Sequence, residues 1–131
     1  MDFQIRVEQA QRRVPITVFH LSGSLNLASA EAFEQAGQQA LQQGARYVLL
    51  DLKDVPSVRS AGLRSVQILY SLLNPKDVAS ASGAAEGQSA ESPYLKVANL
   101  SPEVYYVFEV AGFLRNIHCY EDMETALNSF G

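Results

Sequence analysis

The sequence predicts an α/β fold: a single domain over residues 1–131 with a mixed, mainly parallel sheet of about five strands. The predicted order is ββαβαβαβα, with helices packed on the sheet. Three observations carry this reading. Short apolar runs such as Tyr47-Val48-Leu49-Leu50 alternate with segments whose apolar residues recur at helical spacing. The first two strands are separated only by a polar turn, so the sheet opens with a hairpin. The 131 residues suffice for one core, and 47% hydrophobic with 18% charged residues is an ordinary globular composition.

Taken in order, Phe3, Ile5 and Val7 alternate with Gln4, Arg6 and Glu8, the period-two pattern of a half-buried strand. Gln11-Arg12-Arg13 turns the chain, and Ile16 to Leu21 is a second strand. Ser22 to Asn26 leaves that strand as a loop. Ser29 is expected to cap a helix running to about Gln43, with Glu31 in its first turn and Phe33, Ala36, Ala40 and Leu41 inward. Gly44 ends it, and the strand at Tyr47 follows at once, which makes a right-handed parallel crossover.

From Leu63 the apolar positions Val66, Leu69, Tyr70 and Leu73 mark a second helix. Ala79 to Ser92 then holds eleven Ala, Ser or Gly among fourteen residues. Such a stretch cannot offset its ordering entropy by burial, so residues 74–93 read as a flexible insertion within the domain. Tyr94 to Ala98 is a strand, and Ser101-Pro102-Glu103 starts a helix that ends at Gly112. Ile117 to Tyr120 is the last strand. Asp122 starts a short helix with Met123, Ala126, Leu127 and Phe130 inward.

Bulk properties exclude several functions. A net charge of −4 without a basic run argues against a general nucleic-acid binder. No stretch approaches the ~20 apolar residues of a membrane span, and no secretory signal is visible, so a reducing cytoplasm is expected. The single cysteine, Cys119, permits neither an intramolecular disulfide nor a cysteine-cluster metal site. No nucleotide-cradling glycine motif exists, and no metal or cofactor is expected.

The chemistry concentrates between Asp51 and Leu63. Pro56 biases Val55 toward extended geometry, and Ser60 stands where an N-cap is expected for the second helix. A hydroxyl there lies at the positive end of a helix, which tolerates a phosphate. Asp51 is expected to tie down the loop by accepting backbone N–H bonds, with Arg59 as another partner; neither it nor Asp54 is read as catalytic. A hydrolase triad of Ser60 with His118 or His20 and Asp51 is an alternative, although Arg59-Ser60-Ala61-Gly62 is not a nucleophile elbow. A helix cap without further role is the plain alternative.

The stretch Asp51 through Leu63, D-L-x-x-V-x-x-V-R-S-A-G-L, resembles the signature of the STAS domain (sulfate transporter and anti-sigma factor antagonist). Gly23 to Phe33, Leu100 to Phe113 and Glu121 to Leu127 are similar to further segments of that family, in the right order. The resemblance implies a small α/β domain that binds an anti-sigma-type serine kinase when unphosphorylated. It implies release on phosphorylation of the motif serine, here Ser60, and resetting by a serine phosphatase. It implies no enzymatic activity. Partner contacts would come from Gly23, Ser24 and Asn26, from Val55, Ser57, Val58 and Arg59, and from Ser60, Ala61, Gly62 and Arg64.

Two residues depart from the family pattern. Arg59 replaces the usual aspartate beside the serine, and Asn26 stands where aspartate is frequent. Both changes make that end of the fold less acidic, and Arg64 adds a further positive charge. The second reading is therefore a phosphorylation-independent STAS adaptor, a scaffold subunit of a signalling or transport complex.

Overall fold

The computed structural model describes residues 3–74 and 92–130. Its elements are β1 (Gln4–Gln11), β2 (Pro15–Ser22), α1 (Leu27–Gln42), β3 (Val48–Asp54), α2 (Ser60–Leu73), β4 (Leu95–Ala98), α3 (Pro102–Val110), β5 (His118–Tyr120) and α4 (Met123–Asn128). A short 3-10 turn over Phe113–Arg115, which the sequence reading did not include, joins α3 to β5. The expected element order is found.

The sheet runs β1-β2-β3-β4-β5, with β1 antiparallel to β2 and every other pair parallel. Spatial order equals chain order, so successive right-handed crossovers leave their helices on one face. The core divides accordingly. Phe19, Leu21, Phe33, Leu50, Leu52, Val66, Leu69, Val104 and Phe108 belong to the larger cluster, under α1, α2 and α3. Ile16, Val18, Leu49, Ala98, Leu127 and Phe130 form a smaller one on the opposite, rear face, under α4. β2 and β3 are covered on both sides, which explains their continuous apolar runs.

Lys96 helps to seat α4. Its buried ammonium donates to the Ser129 carbonyl at 3.2 Å and Oγ at 3.0 Å, and lies 4.8 Å from the Phe130 ring centroid.

One expectation about α1 needs correction. Ser29 does not cap α1; the helix starts at Leu27, and Asn26 is the cap. The early start moves Glu31 out of the first turn. Ser29 instead occupies the third helical position and completes a reciprocal capping box with Asn26. The expected flexible insertion at 74–93 falls on residues 75–91, which lie outside the described residues; the residues that flank them are anchored. Asn74, buried at the end of α2, donates to the Tyr70 carbonyl at 3.0 Å and accepts from the buried Ser92 hydroxyl at 2.8 Å.

Candidate functional site

The carboxyl ends of β2 and β3 release two loops, 23–26 and 55–59, that are stitched together. Gly23 N–H donates to the Asp54 carbonyl at 3.0 Å, Leu25 N–H to Ser57 at 3.0 Å, and Arg59 N–H to Leu25 at 2.8 Å. Leu25 and Val58 form an isolated parallel bridge, and the Ser57 hydroxyl donates to Ser24 Oγ at 2.9 Å. The parallel pairing of β2 and β3 thus continues past the sheet into the loops. Leu25, Val55 and Val58 are the buried pegs beneath it.

Gly62 is dictated by this closure. A Cβ there would lie 2.5 Å from the Leu25 carbonyl oxygen and 2.8 Å from Leu25 Cγ. No rotamer change relieves the first contact, because it is with backbone. The motif glycine therefore allows the first turn of α2 to sit against the start of α1. Behind it the buried Ser65 hydroxyl accompanies both helices, donating to Glu34 at 2.8 Å and lying 3.1 Å from the Ala61 carbonyl.

Ser60 is not the N-cap of α2 but its first helical residue; Arg59, in extended geometry, is the cap. The shift follows from the bridge at Val58, which holds the chain extended one residue further than expected. An arginine side chain has no acceptor, so α2 begins without a side-chain cap. Its first turn contains no acid either. Ser60 is exposed, and among the described residues no hydrogen bond engages its hydroxyl. Arg59 and Arg64 are also exposed, and among the described residues neither side chain has an ion-pair or hydrogen-bond partner. Leu27, at the adjoining start of α1, is 82% exposed.

The residues expected at a partner surface thus separate into two groups. Arg59, Ser60 and Arg64 are exposed, and Ser24, Asn26, Ser57 and Ala61 are partly so. Gly23, Val55, Val58 and Gly62 are buried. These four lie beneath the exposed residues and shape the surface. Leu27 was missed, because an apolar residue next to a helix start reads as core.

Asp51 accepts from Lys53 N–H at 3.1 Å, a bond within β3 that does not reach the 55–59 loop it was expected to tie down, and it does not pair with Arg59. Its partners are Asn99, whose Nδ2 donates at 3.0 Å, and His20, whose Nδ1 lies 2.7 Å from Oδ2. The other ring nitrogen of His20 lies 2.7 Å from Glu8 Oε1. A neutral ring can donate to one of these carboxylates, an imidazolium to both. Burial would push the Asp51 carboxyl up, but the hydrogen bonds from Asn99, His20 and Lys53 outweigh it and hold the group below its usual value.

This Glu8–His20–Asp51–Asn99 network was not anticipated. By two-residue alternation it lies on the rear face with Val18 and Leu49, while α2 covers the other face. A hydrolase triad built on His20 is not assembled among the described residues. Both nitrogens of His20 are engaged by carboxylates, Asp51 is committed to His20 and Asn99, and no base is hydrogen-bonded to Ser60 among the described residues.

The STAS domain profile matches residues 7–81. Over 110 residues the chain is 33% identical to BtrV of Bordetella bronchiseptica, provisionally named an anti-sigma factor antagonist; the match covers 84% of this chain and 82% of that one. Among solved structures, an anti-sigma factor antagonist from Mycobacterium paratuberculosis superimposes with a TM-score of 0.74 at 18% identity, covering 98% of this chain and 93% of that one. The Bacillus cell fate determinant SpoIIAA in its phosphorylated form gives 0.64 at 19% identity, covering 95% and 97%. At these identities the structural matches establish the fold, and the profile and the sequence relative establish kinship. The chain belongs to the STAS domain family, among relatives named anti-sigma factor antagonists.

Proposed function

We propose that this protein is a phosphorylation-controlled binding module of the anti-sigma factor antagonist type. Unphosphorylated, it docks an anti-sigma-type serine kinase in the cytoplasm through the exposed start of α2 and the adjoining 23–26 loop. Phosphate on Ser60 ends the interaction, and a serine phosphatase restores it. The protein is substrate and ligand in this cycle, not a catalyst.

The observation that carries the reading is the exposed Ser60 hydroxyl, unengaged among the described residues, on the first turn of α2, which has no side-chain cap. Phosphorylation adds about −1.5 to −2 charges, and the free N–H groups and dipole of a helix start accept them without unfolding the domain. The effect falls on the docked partner, not on the fold. The likeness to SpoIIAA, whose structure is known in a phosphorylated form, supports the same chemistry.

A second reading has its own observation. Arg59 and Arg64 stand exposed on either side of Ser60, without ion-pair partners among the described residues. Two positive charges suit an acidic partner surface and favour an adaptor that needs no phosphorylation. Mass spectrometry of protein isolated from its own cells separates the two, by mapping phosphate on the Val55–Arg64 peptide. A substantial phosphorylated fraction at Ser60 is expected. An unmodified peptide under both growth and stress conditions would sink the switch and leave the adaptor.

A further inference from the structure

We propose that the chain associates with a second copy of itself through β1, antiparallel, with the two-fold axis passing through Val7. The reading is independent of Ser60. It starts from an imbalance between the two edges of the sheet. β5 exposes an edge of three residues, whereas β1 is eight residues long and pairs with β2 without interruption from Gln4↔Ser22 to Gln11↔Pro15. Among the described residues nothing pairs with its outer side. A long unbroken edge offers a row of free N–H and C=O groups, and proteins usually blunt such an edge with proline, a bulge or charged side chains, lysine above all. β1 contains no proline, bulge or lysine, and its two charged residues, Arg6 and Glu8, are of opposite sign.

Its charges instead complement themselves. In an antiparallel pair related by a two-fold axis, facing residues share a side of the sheet, so their numbers sum to an even constant. With the axis at Val7 the constant is 14. Arg6 then faces Glu8 of the second copy, Glu8 faces its Arg6, and Val7 meets Val7. Sliding to the next allowed register in either direction stacks Arg6 on Arg6 or Glu8 on Glu8, which like-charge repulsion disfavours.

The side chains are prepared for this register. Glu8 is held in place by His20 through Oε1 at 2.7 Å, while Oε2 has no partner among the described residues. Arg6 already leans toward Glu8 on the same face at 3.7 Å, with 69% of its side chain exposed. Val7, 50% exposed beside the partly buried Ile5, would gain apolar cover at the axis. Because the pairing is antiparallel, one sheet would run through both copies and present their two Ser60 ends in opposite directions.

Sedimentation equilibrium of the full chain across a range of concentrations tests the proposal. A monomer–dimer equilibrium is expected, and Arg6→Glu or Val7→Lys should each weaken it at least about tenfold while leaving the far-ultraviolet circular dichroism unchanged. Glu8→Arg should fail to self-associate for the same reason. Mixed in equal amounts, Arg6→Glu and Glu8→Arg should form a heterodimer, because both facing pairs are again of opposite sign. A wild-type chain still monomeric at about 1 mM would overturn the proposal. So would a dimer insensitive to Arg6→Glu and Val7→Lys, or a mixture that stays monomeric.

Discussion

Two helices begin side by side at the carboxyl end of the sheet, and they are finished differently. α1 starts behind Asn26, whose side chain accepts from Ala28 and Ser29 N–H, while Ser29 Oγ accepts from Asn26 N–H at 2.9 Å. α2 starts behind Arg59 and has no side-chain cap. The loops that deliver both helices are joined by the same backbone bonds, so the contrast does not reflect loose structure around α2. Of these two helices, α2, which presents Ser60, is the one whose first N–H groups lack a side-chain acceptor. Local stability is conceded where a charged modification or partner can supply what is missing, and retained next door.

The comparison can be broken most severely at Gly62. Gly62→Ala drives a methyl into the Leu25 carbonyl and forces the two helix starts apart, with an expected loss of about 3 kcal/mol in urea denaturation. If the alanine variant proves as stable as wild type, the two starts are not in the tight contact described.

The caps give a smaller but more pointed contrast. Asn26→Ala should cost about 1 kcal/mol, whereas Arg59→Ala should stay within about 0.5 kcal/mol, because no cap bond exists to lose. Equal losses in the two variants would contradict the asymmetry. Arg59→Asp tests the same point in the opposite direction. It supplies an acceptor to the free N–H groups and an acid to the helix start, and should raise stability by about 0.5 to 1 kcal/mol. Under the switch reading the substitution also alters the charge beside Ser60. Partner affinity is then expected to change even though the fold gains stability.

A pH titration compares this surface with the network beneath it. The Asp51 carboxyl is held below its usual value in the folded chain. Its contribution is therefore full above the unfolded value near 3.8 and is lost as pH falls through the lower folded value. Thermal melts between pH 5 and about pH 2 should show this loss in the wild type and a smaller one in Asp51→Asn. Identical pH dependence in the two proteins would mean that the network adds no net stability.

Much of this was legible in the chain itself. The apolar run at Val48 to Leu50 and the spacing of Val66, Leu69, Tyr70 and Leu73 depend on neighbours within one turn or one strand, and such periodicity survives in sequence. The glycine of the Ser60 motif was visible as a resemblance, but its physical reason, the Leu25 carbonyl, was not. Helix starts were misplaced where the apolar stripe and the cap do not coincide. Leu27 is apolar yet exposed, and the pair Asn26 and Ser29 was the available signal for the earlier start.

Sequence alone thus determined the order of elements, the division between buried strands and amphipathic helices, and the position of a serine near a helix start. Tertiary structure decided which residue caps that helix, since the Leu25–Val58 bridge between distant loops keeps Arg59 extended. It also brought Glu8, His20, Asp51 and Asn99 together, residues separated in the chain by 12, 31 and 48 positions along successive contacts. Local patterns record the period of a helix or strand. Contacts between strands depend on register, which is fixed only when the whole sheet pairs and its two faces pack.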